Sequence, residues 1–213
     1  MMVLDYAEDG SLRNYLDKSY HELGWKTKIY ELYRIAYGLN EIHKNNLIHR
    51  DLHIGNILHG RYTHTYISDM GLCKPADYNA LENTKKGVYG VLPYIAPEIL
   101  RGQNYTKAAD IYSFGIIMYE VYSGLPPYHD IGHDINLAMK ICQGLRPMFN
   151  IKVPQLIIHL IKSCLDANPL NRPSATEIEK QIKEADEINN KLQNNVPSTN
   201  LSYKTHSEAI YTS

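Results

Sequence analysis

Two polar residues with different chemistry stand five positions apart in one short segment of the chain, the carboxylate of Asp51 and the carboxamide of Asn56. An aspartate beside reacting atoms can accept the proton of a hydroxyl group, and an asparagine oxygen can bind a hard cation such as Mg²⁺. Phosphoryl transfer needs both functions close to its nucleophile. Because such a pair also occurs in ordinary turns, the neighbouring motifs decide between the two interpretations.

A second carboxylate, that of Asp69, follows thirteen positions after Asn56 in the sequence Ser-Asp-Met-Gly. The glycine after it permits a sharp turn of the backbone, which suits a residue that presents an oxygen to a metal ion. Asp69 is therefore a candidate metal ligand, and the alternative is again an aspartate turn.

Helices and a hairpin are predicted around these residues. Apolar residues at Trp25, Ile29, Leu32, Ala36 and Leu39 follow a spacing of four and three, which predicts a helix with one buried face that ends near residues 45–46. Further predictions are a short helix capped by Ser11 through Leu16, a hairpin with its turn at His59–Gly60–Arg61, a long loop over 69–98, a buried helix over 108–122 that ends at Gly124, and a helix over 134–143. A helix from Pro154 is predicted with Leu156, Ile157, Leu160, Ile161 and Cys164 inward, and a last helix begins with a Ser174–Glu177 capping box and continues through Ile178, Ile182, Ala185 and Ile188.

Composition excludes several classes of partner. With 213 residues, 44% hydrophobic content, a net charge of -1 and a pI of about 6.8, the chain can bury one core but has no basic field for nucleic acid. Its three cysteines form no CxxC pair, and no segment has the character of a signal peptide or is long enough to span a bilayer. We expect an intracellular, cytoplasmic protein without membrane insertion, and its oligomeric state stays open.

Four motifs occur in a fixed order along the chain. His49-Arg50-Asp51 is followed after four residues by Asn56, and then come Asp69-Met70-Gly71, Ala96-Pro97-Glu98 and, further on, Asp110 and Arg172. In order and spacing this pattern resembles the eukaryotic protein kinase family, and specifically its C-terminal lobe, over about residues 2–190. Each motif alone is weak evidence for the family, but the motifs together, in this order and spacing, are specific evidence for it.

The resemblance implies an α+β family fold that is mainly α-helical in this chain, with a short β-hairpin region and a long activation loop. Residues 1–9 would be the end of an N-lobe strand and the hinge, 10–193 the C-terminal lobe, and 194–213 a disordered tail. The implied function is ATP-dependent phosphoryl transfer to a protein hydroxyl, with ATP and Mg²⁺ as cofactors and a protein as substrate.

Roles in catalysis and nucleotide binding are implied residue by residue. Asp51 would accept the proton of the substrate hydroxyl, and Asn56 and Asp69 would hold Mg²⁺. His53 stands where serine/threonine members have the lysine that supports both the transferred phosphate and the catalytic aspartate. The adenine pocket would be formed by Leu4 at the gatekeeper position, the backbone of Asp5 and Ala7, and Leu58 as its floor.

Structural and regulatory roles are implied in the same way. Glu98 and Arg172 would form a buried ion pair that fixes the long loop, and Asp110 would brace the backbone around His49. Arg50 would pair with a phosphate on the long loop, for which the candidate acceptors are Thr84 and Tyr89.

The sequence departs from the family pattern at three places. His53 replaces lysine, which weakens support of the phosphate; Val91 replaces a threonine that would bond Asp51; and Met70 replaces phenylalanine, which is a mild change. Tyrosine kinases carry arginine two positions before the asparagine, and Ile54 does not match this either. The acceptor residue therefore stays open, with a preference for the tyrosine-kinase-like serine/threonine group.

No glycine-rich phosphate loop and no strand lysine stand before the first motif, so we expect residues 1–213 alone to be inactive, to bind ATP weakly and to expose an apolar surface around Met1–Leu4 and Met70. Two interpretations stay open: an enzyme whose N-lobe lies upstream, and a non-catalytic kinase-lobe module that binds partners. A third alternative is a metal site built from His49, His53, His59 and His64.

Overall fold

A computed structural model describes residues 7–60, 64–76, 90–149 and 153–192 of the chain. The predictions for Leu4, Asp5, Thr84, Tyr89 and the tail 194–213 lie outside these residues. Seven α-helices and four short strands are found there: α1 (Leu12–Ser19), α2 (Trp25–Lys44), β1 (Leu47–Ile48), β2 (Ile57–Gly60), β3 (His64–Ile67), β4 (Lys74–Pro75), α3 (Pro97–Leu100), α4 (Lys107–Ser123), α5 (Ile135–Cys142), α6 (Gln155–Cys164) and α7 (Ala175–Leu192). The prediction of a mainly α-helical fold with a short β-hairpin region is confirmed.

Helix α2 forms because its apolar residues fall on one face, and Ile29, Leu32, Ala36 and Leu39 are buried as the spacing predicts. It packs against α7, and between these helices Asn40 accepts a hydrogen bond from Thr176 (2.8 Å). The last residue of α2 is Lys44, so the predicted end near residues 45–46 is confirmed.

Helix α4 is the centre of the core, because residues 109–123 are buried on all sides. Gly124 ends it in the left-handed conformation (φ 70°), as a C-terminal glycine does. Gly115 allows α6 to come close, since a Cβ atom there would lie 2.8 Å from Leu165 Cδ2. The helix predicted over 108–122 is therefore confirmed, and it forms a rigid base under the loops at its N-terminal end.

Helix α7 begins with the predicted capping box: Glu177 accepts a hydrogen bond from the backbone N–H of Ser174 (2.7 Å), and the Ser174 hydroxyl accepts one from the backbone of Glu177 (3.3 Å). Ile178 and Ile182 are buried, whereas Ile188 is 48% exposed. At about 100° per residue, Ile188 has rotated about 80° away from Ile178 around the helix and has left the buried face. In α6 Ile157, Leu160, Ile161 and Cys164 are buried as predicted, but Leu156 is 40% exposed, so its predicted inward position is wrong.

The four strands form two antiparallel pairs, β1 with β4 and β2 with β3. The predicted hairpin is present as β2 and β3. His59 pairs with Thr65 and Gly60 with His64, so both belong to strand β2 and their predicted place in the turn is wrong, whereas Arg61 lies outside the described residues. His59 is buried and stacks on Tyr15 of α1 at 3.8 Å between ring centroids, and this packing keeps it in the sheet.

Residues 69–98, which were predicted as one long loop, contain short elements of secondary structure. Met70–Leu72 forms a 3-10 turn, Lys74–Pro75 pairs with Leu47–Ile48, and α3 begins at Pro97. Residues 77–89, which would form its central part, are outside the described ranges. None of the described helices is both long enough and apolar enough to cross a membrane.

Candidate functional site

Helix α4 fixes the backbone immediately before Asp51. Its residue Asp110, which is buried, accepts hydrogen bonds from the backbone N–H of His49 (2.8 Å) and of Arg50 (3.0 Å), and its Oδ2 lies 2.9 Å from Nε2 of His43. Arg50 is in the left-handed conformation (φ 73°), which is costly for a residue with a side chain. Residues 49–56 are here called the Asp51 loop. Asp110 stabilises the strained backbone at Arg50 and thereby fixes the position of the first residues of this loop.

His49 connects the Asp51 loop to the segment that carries Asp69. Its Nδ1 accepts a hydrogen bond from the backbone N–H of Asp51 (3.3 Å), which leaves the ring proton on Nε2, and Nε2 donates to the carbonyl oxygen of Ser68 (3.0 Å). The imidazole is fully buried. One side chain thus sets the distance between the two loops.

Asn56 adds a second connection between these loops. Its Nδ2 donates to the carbonyl oxygen of Asp51 (2.9 Å) and lies 3.5 Å from the Asp51 carboxylate. Ser68 donates from both its backbone N–H (2.8 Å) and its hydroxyl (2.9 Å) to the carbonyl oxygen of Asn56. The structure therefore brings together Asp51, Asn56 and the turn of Asp69, which the sequence places far apart.

The oxygen atoms of Asn56 and Asp69 fit a hard cation. The amide nitrogen of Asn56 is engaged with Asp51, which turns its Oδ1 to the opposite side, and Asp69 is exposed with φ 58° and a 3.4 Å contact from the backbone N–H of Gly71 to its Oδ1. Oxygen donors of this kind suit Mg²⁺, which usually takes one or two protein ligands together with phosphates and water. No group of three or more His, Cys, Asp or Glu side chains that could hold a metal occurs within the described ranges, so a histidine metal site has no support there.

The carboxylate of Asp51 faces His53. Asp51 is 8% exposed and His53 is 2% exposed, and 3.9 Å separate Asp51 Oδ1 from His53 Nε2. The Nδ1 atom of His53 accepts a hydrogen bond from the backbone N–H of Gly55 (3.1 Å). Burial lowers the pKa of His53, and the nearby charge of Asp51 partly opposes this change. The ring is therefore held neutral beside the candidate base.

Gly90 closes the other side of the Asp51 carboxylate, because it has φ 108° and a Cβ atom added to it would lie only 3.2 Å from Asp51 Oδ1. We expect Gly90→Ala to displace the Asp51 carboxylate through contact with the added methyl group, and to reduce turnover by the product of the complete open reading frame about ten- to one-hundredfold. Gly144→Ala is the matched control: Gly144 has the same φ of 108°, but a Cβ atom there would meet no other described atom within 4 Å, so the substitution adds only backbone strain. Steady-state kinetics and thermal melts of both variants check this; equal effects of the two substitutions on turnover would contradict it.

Glu98 of α3 and Arg172 form a buried ion pair with two parallel hydrogen bonds of 2.7 Å. Arg172 also donates to the carbonyl oxygens of Asp166 (2.9 Å) and Ala108 (2.8 Å), so all three nitrogen atoms of its guanidinium group donate hydrogen bonds. The pair ties the end of the loop region to the start of α4 and to the segment before α7.

Sequence reasoning missed a buried polar network formed by Tyr94, Glu120 and Arg13. The Tyr94 hydroxyl donates to Glu120 of α4, and Arg13 of α1 donates to the other carboxylate oxygen of Glu120 (2.9 Å). Burial raises the pKa of Glu120 to about 7, and the charge of Arg13 acts in the opposite direction. Tyr94 also lies near His53, with 5.9 Å between ring centroids. A single acidic residue inside an otherwise apolar stretch of helix was the signal that could have identified this network.

The remaining candidate residues are more loosely placed. The guanidinium of Arg50 lies over the ring of Tyr105 at 4.8 Å and has one long contact of 3.5 Å to the carbonyl oxygen of Leu72. Met70 is 42% exposed. Leu58 is half-buried in β2 and pairs with Ser11, and Ala7 is half-buried at the start of the described chain.

Comparison with known proteins identifies the class of protein that has this arrangement. The family model described as protein tyrosine and serine/threonine kinase matches residues 1–182. A protein named as a serine/threonine-protein kinase/receptor in Acanthamoeba polyphaga mimivirus is 31% identical over 183 residues, which are 85% of this chain and 11% of that protein. An RGS domain-containing serine/threonine-protein kinase of Dictyostelium discoideum is 31% identical over 177 residues (83% and 15%), and an Arabidopsis thaliana protein with protein kinase and PP2C-like domains is 30% identical over 217 residues (84% and 32%). The chain thus spans between about a tenth and a third of the length of these relatives.

Proposed function

This chain belongs to the protein tyrosine and serine/threonine kinase family, and we propose that it supplies the C-terminal lobe of an enzyme that transfers phosphate from ATP to a protein hydroxyl. Serine or threonine is the proposed acceptor, in keeping with the names of the relatives. The proposal places the glycine-rich loop and the strand lysine of the family outside residues 1–213, which contain neither motif.

The observation that carries this proposal is that hydrogen bonds from His49, Ser68 and Asn56 hold Asp51 and the turn of Asp69 together. His49 and Ser68 join the Asp51 loop to the turn of Asp69, and Asn56 donates to Asp51 from within the loop. A base and two oxygen ligands held at fixed positions are what phosphoryl transfer requires, because that reaction depends mainly on positioning and charge stabilisation. A turn selected only for structure would not need both metal-binding residues.

In the proposed reaction Asp51 acts as the base. One of its carboxylate oxygens faces His53 and the other lies nearer Asn56, so the carboxylate has a fixed orientation. The acceptor hydroxyl would donate its proton to this carboxylate as its oxygen attacks the phosphorus atom. In this proposal the acceptor hydroxyl approaches the carboxylate oxygen that does not face His53.

Asn56 and Asp69 are the residues that would hold Mg²⁺ in this proposal. Bound Mg²⁺ and ATP supply the phosphoryl group and neutralise the charge that develops on its oxygens. The adenine would lie against Leu58 and the backbone near Ala7, at the end of the chain where the described residues begin. Leu4 and Asp5 complete that pocket in the proposal.

Nucleotide binding with and without Mg²⁺ tests the proposal, by calorimetry on residues 1–213 and on the product of the complete open reading frame. We expect the complete product to bind ATP more tightly with Mg²⁺ and residues 1–213 to bind it weakly, because one lobe forms only one wall of the pocket. Asp69→Asn should remove the effect of Mg²⁺ in the complete product. Tight binding that is independent of Mg²⁺ and of Asp69 would contradict the proposal.

The second candidate function is a non-catalytic lobe that binds partner proteins. The replacement of lysine by His53 favours it, as does Val91, which leaves Asp51 Oδ1 with no hydrogen-bond partner among the described residues. A module of this kind would transfer no phosphate even where it binds Mg²⁺ and ATP, so a phosphotransfer assay separates the two candidates.

A further inference from the structure

Two buried polar atoms beside the proposed reaction centre lack a hydrogen bond in the described part of the chain, and they face each other. These atoms are Asp51 Oδ1 and His53 Nε2, 3.9 Å apart. Buried polar atoms in folded proteins nearly always have partners, because an unpaired one loses its hydrogen bonds to water without replacement. A shift of about 1 Å would satisfy both atoms at once, so each is the natural partner of the other.

The backbone determines which of the two ring nitrogens of His53 carries the proton. Nδ1 of His53 accepts a hydrogen bond from the backbone N–H of Gly55 (3.1 Å), and an atom that accepts a hydrogen bond has no proton of its own. In the neutral ring the proton is therefore on Nε2, and Nε2 is the atom that faces Asp51. His53 is thus oriented as a hydrogen-bond donor to a carboxylate that accepts protons.

We propose that His53 is a positioning residue for Asp51, in which the Nε2–H group donates to Asp51 Oδ1 and leaves the second carboxylate oxygen to receive the proton of the acceptor hydroxyl. The inference rests on the proposed function, because that function makes Asp51 the base. The contact between His53 and Asp51 can be tested whether or not the proposed function is correct. A shift of about 1 Å shortens the 3.9 Å distance to a hydrogen bond, so the contact forms in the protein without bound substrate.

The resemblance assigns to a lysine at position 53 the support of both the transferred phosphate and the aspartate, and the proposed role of His53 keeps only the contact with the aspartate. A lysine has a flexible stem and three donors that can reach past the aspartate, whereas His53 is 2% exposed and bounded by Tyr94 on one side. Its Nδ1 is already used by Gly55, so only Nε2 can act. The ring thereby supplies the bond to Asp51 that Val91 cannot make.

The charged and titratable groups that face the ring are Asp51, Asp69 and His49. The two carboxylates attract a proton to the ring and His49 opposes it, but burial dominates and lowers the pKa of His53. The neutral tautomer described above is consistent with this balance.

Nitrogen-15 NMR of the histidine rings in residues 1–213 tests the contact without any phosphotransfer. We expect His53, assigned by comparison with His53→Gln, to be the Nε2-protonated tautomer at neutral pH, with a slowly exchanging Nε2–H proton that shifts upfield in Asp51→Asn. The same proton should move much less in Asp134→Asn, which removes an exposed carboxylate at the start of α5. A ring protonated on Nδ1, or an Nε2–H proton that does not respond to Asp51→Asn, would overturn the inference.

Kinetics of the complete open reading frame product give a second, independent result. His53→Leu should lower kcat about ten- to one-hundredfold with little change in the KM for ATP, and His53→Gln should restore most of it, because the glutamine amide can accept from Gly55 and donate to Asp51. Two results would overturn the inference, because each would assign His53 to support of the phosphate. The first is a raised KM for ATP in His53→Leu, and the second is activity that is restored by His53→Lys but not by His53→Gln. Inactive wild-type protein with the expected tautomer would refute the proposed function and leave the contact established.

Discussion

Replacing Asp51 by asparagine should lower phosphotransfer by the complete gene product about 10²–10⁴-fold, which is the range that a general base contributes. Asparagine has the size of aspartate, and the main-chain oxygen that accepts from Asn56 (2.9 Å) is unchanged, so the loop should keep its structure. What is lost is the atom that accepts the proton. Initial rates with radiolabelled ATP, together with the melting temperature of the variant, measure the effect.

The contrast with Asp69→Asn makes this experiment specific. Asp51→Asn should retain Mg²⁺-dependent ATP binding, because Asp51 is 8% exposed and is not one of the proposed metal ligands, whereas exposed Asp69 is. Loss of binding in Asp51→Asn, or a rate within about tenfold of the wild type, would show that Asp51 has a different role.

The largest expected effect on stability comes from Arg172→Met. This substitution leaves the Glu98 carboxylate buried without its two 2.7 Å partners, and breaking a buried pair in this way costs about 3–5 kcal/mol of unfolding free energy. The carbonyl oxygens of Asp166 and Ala108 lose their donors as well. Urea unfolding of residues 1–213 followed by circular dichroism measures the change.

Two controls accompany Arg172→Met. The double variant Glu98→Leu/Arg172→Met should recover part of the loss, since it removes the unpaired charge. Lys180→Met breaks a 3.8 Å pair with Glu184 whose side chains are 77% and 53% exposed, and it should leave the unfolding midpoint unchanged. A destabilisation in Lys180→Met as large as that in Arg172→Met would show that burial is not the cause.

The helices were predictable from sequence where one local signal dominated. The spacing of Ile29, Leu32, Ala36 and Leu39, the glycine at 124 and the capping box of α7 each depend on neighbours in the chain. Leu156 was misplaced because it lies about 80° around the helix from Cys164, at the edge of the buried face of α6. His59 was misplaced because stacking on Tyr15, a tertiary contact, outweighed the local turn tendency.

The site was predictable in its residues but not in its connections. Motif order indicated Asp51, Asn56 and Asp69, but the bonds from His49 and Asn56 that join them depend on the folded geometry. The orientation of His53 toward Asp51 had no local pattern, because it depends on the folded backbone of the loop. Glu120 stands out in the sequence as an acidic residue in an apolar stretch, but its partner Tyr94 is 26 residues away and could not be identified from it. A residue type specifies a donor or an acceptor, and only the fold selects its partner.

The most direct test of the central claim is transfer of the γ-phosphate of ATP to a protein by the complete open reading frame product in the presence of Mg²⁺, followed by identification of the modified residue. The account predicts phosphoserine or phosphothreonine, in an amount that depends on Mg²⁺ and on Asp51. Protein that is folded and binds Mg²⁺ and ATP but transfers no phosphate to itself or to generic protein substrates would contradict it.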